Sequence, residues 1–264
     1  MPAIQKKSNK ETFMDNTFVV FSQGYLIEQV AQWIKQVGAD KGYDGKNPPP
    51  TLDVGCYNGR LWPFMKERFI FTDYTGIDYQ QKYLDNAFVK EGRHFKLHQA
   101  DITEGLKFDD EAFELVLSSE VFEHIEGHHY QDLMNEIYRV LRPGGRAILG
   151  FPMNTHDHEY HSVEKEGKRL GHVNFPVHDD FIALGESVGF KLLKFDSSYT
   201  TSSSYRIPKE TKQEKFYKKI KNALGSNVAR AVTMIVTDDH TGGGFYTFVK
   251  PGLEEEDNPE TWKL

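Results

Sequence analysis

The sequence predicts an α/β fold: a doubly wound, mostly parallel, seven-stranded sheet with helices on both faces. Two observations carry this expectation. Short apolar runs alternate with amphipathic stretches from about residue 51 to 152, and each run ends in turn residues. Two further strand-like runs, KLLKFD and GGGFYTFVK, follow downstream. Strands separated by helices need crossover connections, which make the strands parallel and place helices on both sides. Right-handed crossovers then fix the winding.

Residues 1–16 are polar, and residues 17–38 carry Leu26, Val30, Trp33, Ile34 and Val37 at helical spacing. They predict a helix ending near Gly38, within an N-terminal helical cap over 1–45. DKGYDGKNPPP is turn-rich and reads as a linker. TLDVG is the first buried strand, and LWPFMKERF begins the next helix. YTGIDY is the second strand, followed by a helix through Leu84 and Phe88, and HFKLHQAD is the third. FELVLSSE is the fourth, with a helix expected to contain both EVFEHI and DLMNEIYRVL until RPGG stops it. RAILGFP is the fifth strand, HDDFIALGESVGF a helix, and KLLKFD the sixth strand. PKETKQEKFYKKIKNALG predicts a Lys-rich amphipathic helix before GGGFYTFVK, the last strand. A catalytic domain over 46–252 is expected, with lid segments at about 153–180 and 197–244. An acidic tail, 253–264, closes the sequence.

With 264 residues and 38% hydrophobic content, one sizeable domain can bury its own core. The net charge of −7 argues against a nucleic-acid partner, since phosphate binding favours a basic surface. One cysteine, Cys56, excludes a disulfide-stapled secreted scaffold. MPAIQKKSNKETF lacks an apolar leader core, and no run approaches the length of a membrane span. A cytoplasmic protein is the expectation; the oligomeric state is not legible.

LDVGCYNGR sits at the first strand-to-helix turn, with Asp53, Gly55 and Gly59 in the pattern Asp-x-Gly-x-x-x-Gly. Glycines let backbone approach a ligand closely, and free N–H groups face it. The Lys-Ser/Thr pair of a phosphate-binding loop is missing, so a nucleoside-like ligand suits the turn better than a polyphosphate. Asp78 ends the second strand, where an acid can bond ribose hydroxyls. Asp101, after the third, is placed for the adenine edge. Singly, each feature has a plainer reading: a helix cap, or turn chemistry. In order, at one sheet edge, they carry weight together.

LDVGCYNG, GIDYQQ, QADITEG, FELVLSSEVFEHI and VLRPGGRAILGFP resemble the successive motifs of the Rossmann-like class I S-adenosylmethionine-dependent methyltransferases. The resemblance is dense over about 51–152 and looser to about 250. It implies that Asp53, Gly55, Cys56 and Gly59 cradle the methionine part of S-adenosylmethionine. Asp78 with Tyr79 would take the ribose, Asp101 and Ile102 the adenine, and Ser119 and Glu120 would close the pocket. Cys56 is a common occupant of its position, so no catalytic thiol is implied. A nicotinamide-dependent dehydrogenase rests on fold analogy only.

EVFEHI, residues 120–125, raises the question of a metal. On a helix, residues three and four apart are neighbours, with Cβ atoms roughly 5–6 Å apart. Glu120, Glu123 and His124 would then converge, and carboxylates with an imidazole suit Mg²⁺, Mn²⁺ or Fe²⁺, with Zn²⁺ also open. The plain alternative is a polar helix start, since the helix dipole favours acids in the first turn. GHVNF adds His172 before a helix that returns toward the same edge. With His172, the set resembles two metal-assisted branches: the ubiquinone-pathway O-methyltransferases and the small-RNA 2′-O-methyltransferases. It implies that Glu120, Glu123, His124 and His172 hold a divalent ion, Mg²⁺ or Mn²⁺ foremost.

The chemistry to expect is transfer of a methyl group to a hydroxyl of a small molecule with vicinal oxygens, a sugar or a catechol-like ring. A metal would lower the hydroxyl pKa and fix its direction. His124, His156 and His158 are the catalytic candidates, the last two as proton acceptors. Eight of eleven histidines lie between His124 and His178. Two other readings stay open: a ribose 2′-O-methyltransferase on RNA 3′ ends, and a non-catalytic S-adenosylmethionine-binding module. Six lysines in PKETKQEKFYKKIK read first as a solvated helix face over a packed stripe, with RNA or membrane-surface contact as the alternatives.

Overall fold

A computed structural model describes residues 24–87, 89, 92–152, 171–196 and 244–252. Seven strands form one sheet: β1 Pro50–Val54, β2 Asp73–Asp78, β3 Phe95–Gln99, β4 Phe113–Ser119, β5 Leu141–Phe151, β6 Lys191–Asp196 and β7 Gly244–Val249. Their order is β3-β2-β1-β4-β5-β7-β6. The first five are parallel, and β7 runs antiparallel between β5 and β6. The doubly wound sheet read from the sequence is therefore the sheet observed. From β1 the chain winds outward to β3, then returns to β4 on the other side. The crevice at the carboxyl ends of β1 and β4 is the switch point where such sheets bind ligands.

Helices cover both faces. Residues 24–33 form α1, which continues as a π-turn over Ile34–Gly38. The others are α2 Leu61–Glu67, α3 Gln81–Leu84, α4 Tyr130–Val140 and α5 His178–Val188. On one face, Leu26, Ile27, Val30 and Trp33 of α1 join Leu61 and Met65 of α2 in one core with Tyr74, Phe95 and Leu117. Helix α1 is thus part of the layer covering the sheet. On the other face, Leu133, Met134, Ile137 and Val140 of α4 pack with Phe181 of α5 on Val116, Leu149 and Phe248. Helix α5 stops at Gly189, whose φ of 108° is left-handed.

At the rear edge, buried Glu114 accepts hydrogen bonds from Lys41 Nζ at 2.8 Å and Tyr43 Oη at 2.9 Å. A charge this deep needs such partners. RPGG ends α4 at Val140, as expected, but it enters β5 as a bulge. Leu141 lies opposite Phe113 and Arg146 opposite Leu115, so extra residues loop out between.

One expectation fails. EVFEHI does not begin the long helix. Glu120 has a left-handed φ of 61°, Phe122–His124 is a single 3₁₀ turn, and Gly127–His129 is a second before α4 starts at Tyr130. The helical spacing assumed for Glu120, Glu123 and His124 therefore does not apply. The helix after β2 is short, ending at Leu84, and Phe88 lies outside the described residues. So do residues 1–23, most of both lid segments, the Lys-rich stretch and the acidic tail. Among the described residues, no helix is long and apolar enough to cross a membrane.

Candidate functional site

The turn after β1 is built so that backbone faces the crevice. Gly55 has φ 74°, and a Cβ there would lie 2.2 Å from Val121 Cγ2. Gly59 has φ 69°, and its Cβ would lie 2.6 Å from the Phe95 ring. Only glycine fits both the dihedral and the space. The Gly55 and Cys56 N–H groups donate to Ile77 O at 2.8 and 2.9 Å, joining the turn to β2.

Asp78 is fixed by two backbone donors. Tyr57 N–H reaches its Oδ2 at 2.9 Å, and Gln80 N–H its Oδ1 at 2.9 Å. Burial raises its carboxyl above the ordinary value, against these two bonds, which lower it. Each carboxylate oxygen has a further lone pair for a ligand hydroxyl. Tyr79 projects outward, 67% exposed. Tyr57, itself at φ 58°, packs against Tyr83 with centroids 4.2 Å apart and the rings tilted by 40°. Neither tyrosine was singled out by the motifs, and a left-handed tyrosine has no sequence signature.

Asp53 faces inward. The Tyr74 hydroxyl donates to its Oδ2. Burial pushes its carboxyl up to about 7, opposed by the Tyr74 bond and Arg60. Its described bond supports the turn from behind. Cys56 is buried, and burial, then Asp53 and Asp78, push its thiol far up. Burial disfavours the thiolate, the form that acts as nucleophile. Asp101 Oδ1 accepts from Thr103 N–H at 3.0 Å and Oγ1 at 2.7 Å, capping Ile102–Glu104. Those bonds lower its carboxyl pKa. Ile102 packs on the core beside it.

The same edge carries buried polar atoms suited to a polar ligand. Among the described residues, Asn58 Oδ1, Ser118 Oγ and Ser119 Oγ have no hydrogen-bond partner. Buried polar atoms are rarely left so. Asn58 lies in the glycine turn, and both serines end β4.

Beyond Ser119, the Glu120 N–H donates to Gly150 O at 2.8 Å. The next turn drives Phe122 into the core between Tyr130, Phe151 and Phe181. Tyr130 Oη donates to Phe122 O at 2.7 Å, which locks the turn. The chain returning toward α5 bonds to it: Val173 and Asn174 N–H both donate to Glu123 O, at 2.8 and 3.2 Å. This clamp sets buried His172 beside His124, with ring centroids 4.9 Å apart and perpendicular.

Glu123, His124 and His172 each offer one ligand atom, and all these atoms lie within 4.8 Å of one another. Glu120 is not in the group. His124 Nδ1 sits 3.1 Å from Gly171 O. A carbonyl only accepts, so Nδ1 carries the hydrogen and a neutral ring keeps its Nε2 lone pair for a cation or a proton. Ligands about 2.1 Å from one ion lie roughly 3–4 Å apart, so small side-chain shifts would let the trio fit one. Two imidazoles with one carboxylate suit Mn²⁺, Fe²⁺ or Zn²⁺ better than Mg²⁺. His156 and His158 lie outside the described residues.

Residues 52–149 match the family model described as a methyltransferase domain. Over 101 residues the chain is 33% identical to the malonyl-[acyl-carrier protein] O-methyltransferase of Salmonella typhimurium, covering 38% of each. Over 111 residues it is 33% identical to the demethylmenaquinone methyltransferase of Thermus thermophilus, covering 40% of this chain and 49% of that protein. The chain thus spans half or less of the length of these curated relatives. Among solved structures, it resembles the geranyl diphosphate C-methyltransferase of Streptomyces coelicolor, in complex with Mg²⁺, geranyl diphosphate and S-adenosylhomocysteine. The TM-score is 0.57 at 13% identity, covering 84% of this chain and 77% of that one. At that identity the likeness is one of fold.

Proposed function

We infer that residues 52–149 are a class I methyltransferase domain and propose that the chain is an S-adenosylmethionine-dependent O-methyltransferase. Its acceptor is a hydroxyl of a small molecule with vicinal oxygens, a sugar or a catechol-like ring. The convergence of Gly55, Asp78, Ser119 and the Glu123–His124–His172 trio at one switch point carries the reading. Gly55 lets the turn close on Val121, which shapes the crevice for the ligand's methionine end, and Asp78 accepts from ribose hydroxyls. Asp53 and Tyr74 brace the turn, while Phe122 and Val121 back the crevice with apolar surface that excludes water. S-adenosylmethionine supplies the methyl group on a sulfonium already activated for transfer, so the protein's task is alignment. A divalent ion held by Glu123, His124 and His172, with Mn²⁺ favoured over Mg²⁺, would acidify the acceptor hydroxyl. The Val173 and Asn174 bonds to Glu123 O keep the trio assembled. Where no ion binds, His124 Nε2 is a base within the same group.

The test is transfer of a labelled methyl group from S-adenosylmethionine to a panel of catechols and sugars, with Mn²⁺ or a chelator, beside calorimetric binding of S-adenosylhomocysteine. Transfer to a hydroxyl is the expected result. Cofactor binding with transfer to no hydroxyl would remove the acceptor reading alone. No cofactor binding would remove the whole.

A further inference from the structure

At the sheet edge opposite the crevice, α2 and the starts of β2 and β3 border a half-open cavity of about 270 Å³. Thr72 and His94, which precede β2 and β3, line it with Lys66 near the end of α2. It lies the length of β2 from Asp78, about 16 Å. It is thus distinct from the cofactor edge, and nothing in the mechanism above uses it.

Its lining has a definite chemistry. Trp62 and Phe71 provide aromatic walls, with buried Phe95 behind Trp62. The Trp62 and Phe95 rings pack with centroids 4.9 Å apart, and Phe71 stays 40% exposed, so a ring surface is accessible from solvent. Lys66, Arg93 and His94 also line it, and no described lining residue is acidic. In a chain of net charge −7, Lys66 and Arg93 put two cations on the lining, with Asp73 beside His94 as the nearest acid among the described contacts. Lys66 Nζ is 5.1 Å from the Trp62 ring, and His94 Nδ1 is 3.3 Å from Asp73 Oδ1, which leaves Arg93 as the principal cation for a ligand. Beneath, buried Thr72 has a hydroxyl with no hydrogen-bond partner among the described residues.

We propose that this cavity binds a planar aromatic anion of one or two rings. The volume falls just under the usual range for drug-sized ligands, which limits the ring count. The walls stack on the ring, and Arg93 pairs with the anionic group. A carboxylate and a phosphate share this chemistry.

The experiment is calorimetric titration of the full chain, at low salt and with S-adenosylhomocysteine present, using 1-naphthoate and phenyl phosphate. 1-Naphthylmethanol and cyclohexanecarboxylate are the controls. Arg93→Gln and Phe71→Ala are tested alongside, each first shown by urea unfolding to keep the native fold. The expected result is one site for at least one of the two anions. Affinity should fall about tenfold in each variant and for each control, the size of one lost charge-assisted or stacking contact. Preference between the anions identifies which source the site serves. No binding at millimolar concentration, binding unchanged in both variants, or controls as tight as the anions would overturn the proposal. If the cofactor analogue itself does not bind, the variant comparison still decides this site.

Discussion

The Tyr57 peptide N–H donates to Asp78 Oδ2 at 2.9 Å, joining the glycine turn after β1 to the acid that ends β2. Tyr57 adopts its left-handed φ of 58° in making that bond. Such backbone is costly for a side-chain-bearing residue, by about 1–3 kcal/mol. The turn and the acid are therefore one unit, and a change at either should be felt at the other.

Asp78→Asn tests this unit. The substitution faces an amide N–H₂ toward one of two backbone donors and removes the charge offered to ribose hydroxyls. S-adenosylhomocysteine affinity should fall about 10–100-fold, the equivalent of one or two lost charge-assisted bonds. Calorimetry on a variant with unchanged urea midpoint would check it. An unaltered affinity would leave Asp78 as a structural staple only.

Gly55→Ala should destabilise the protein by about 2–4 kcal/mol, from left-handed strain plus overpacking. Its Cβ would lie 2.2 Å from Val121 Cγ2. Adding Val121→Ala removes the clash but not the strain, so the double variant should recover part of the loss in a urea-unfolding cycle. Full recovery would mean that φ at Gly55 costs nothing.

The buried Asp53 gives a pH prediction whose sign is fixed. Its carboxyl is pushed up to about 7 by burial, above the ~3.9 of an exposed aspartate. The folded protein then holds a proton that the unfolded chain has released. This contribution is fully present below about pH 4 and is lost as pH rises to about 7. Asp53→Asn should gain stability relative to the native protein between pH 5 and pH 8. Urea unfolding at both values would check it, and a gain in the reverse direction would place the Asp53 pKa below the ordinary value.

The sheet was legible because strand–turn–helix alternation is a local signal repeated along the chain, whereas the strand order and the antiparallel β7 come from long-range pairing. The positions of Gly55 after β1, Gly59 before α2 and Asp78 at the end of β2 were legible for the same reason. What the motifs could not convey was which way a side chain points. Asp53 bonds to Tyr74 and Asp101 to Thr103, contacts that spacing does not reveal. EVFEHI misled because its spacing fits a helix, whereas burying Phe122 among Phe151 and Phe181 breaks the helix into two turns. The meeting of His172 with His124 depends on a clamp to the Glu123 carbonyl, formed by residues 50 positions later in the sequence and invisible in any periodicity.

That difference separates a four-ligand metal site from a three-ligand one. If Glu120 belonged to the set, Glu120→Gln and Glu123→Gln would weaken Mn²⁺ binding alike. The geometry groups Glu123, His124 and His172 without Glu120, whose N–H is held by Gly150 O. Mn²⁺ binding should therefore fall at least tenfold in Glu123→Gln and His172→Ala, the usual minimum for losing a ligand's support, and stay within about twofold in Glu120→Gln. Electron paramagnetic resonance with S-adenosylhomocysteine present reads the bound ion directly. Equal loss in Glu120→Gln would restore the four-ligand set and imply that Glu120 turns inward when the ion binds. Mn²⁺ binding unchanged in Glu123→Gln and His172→Ala would leave the trio as a polar clamp, with His124 Nε2 as the base.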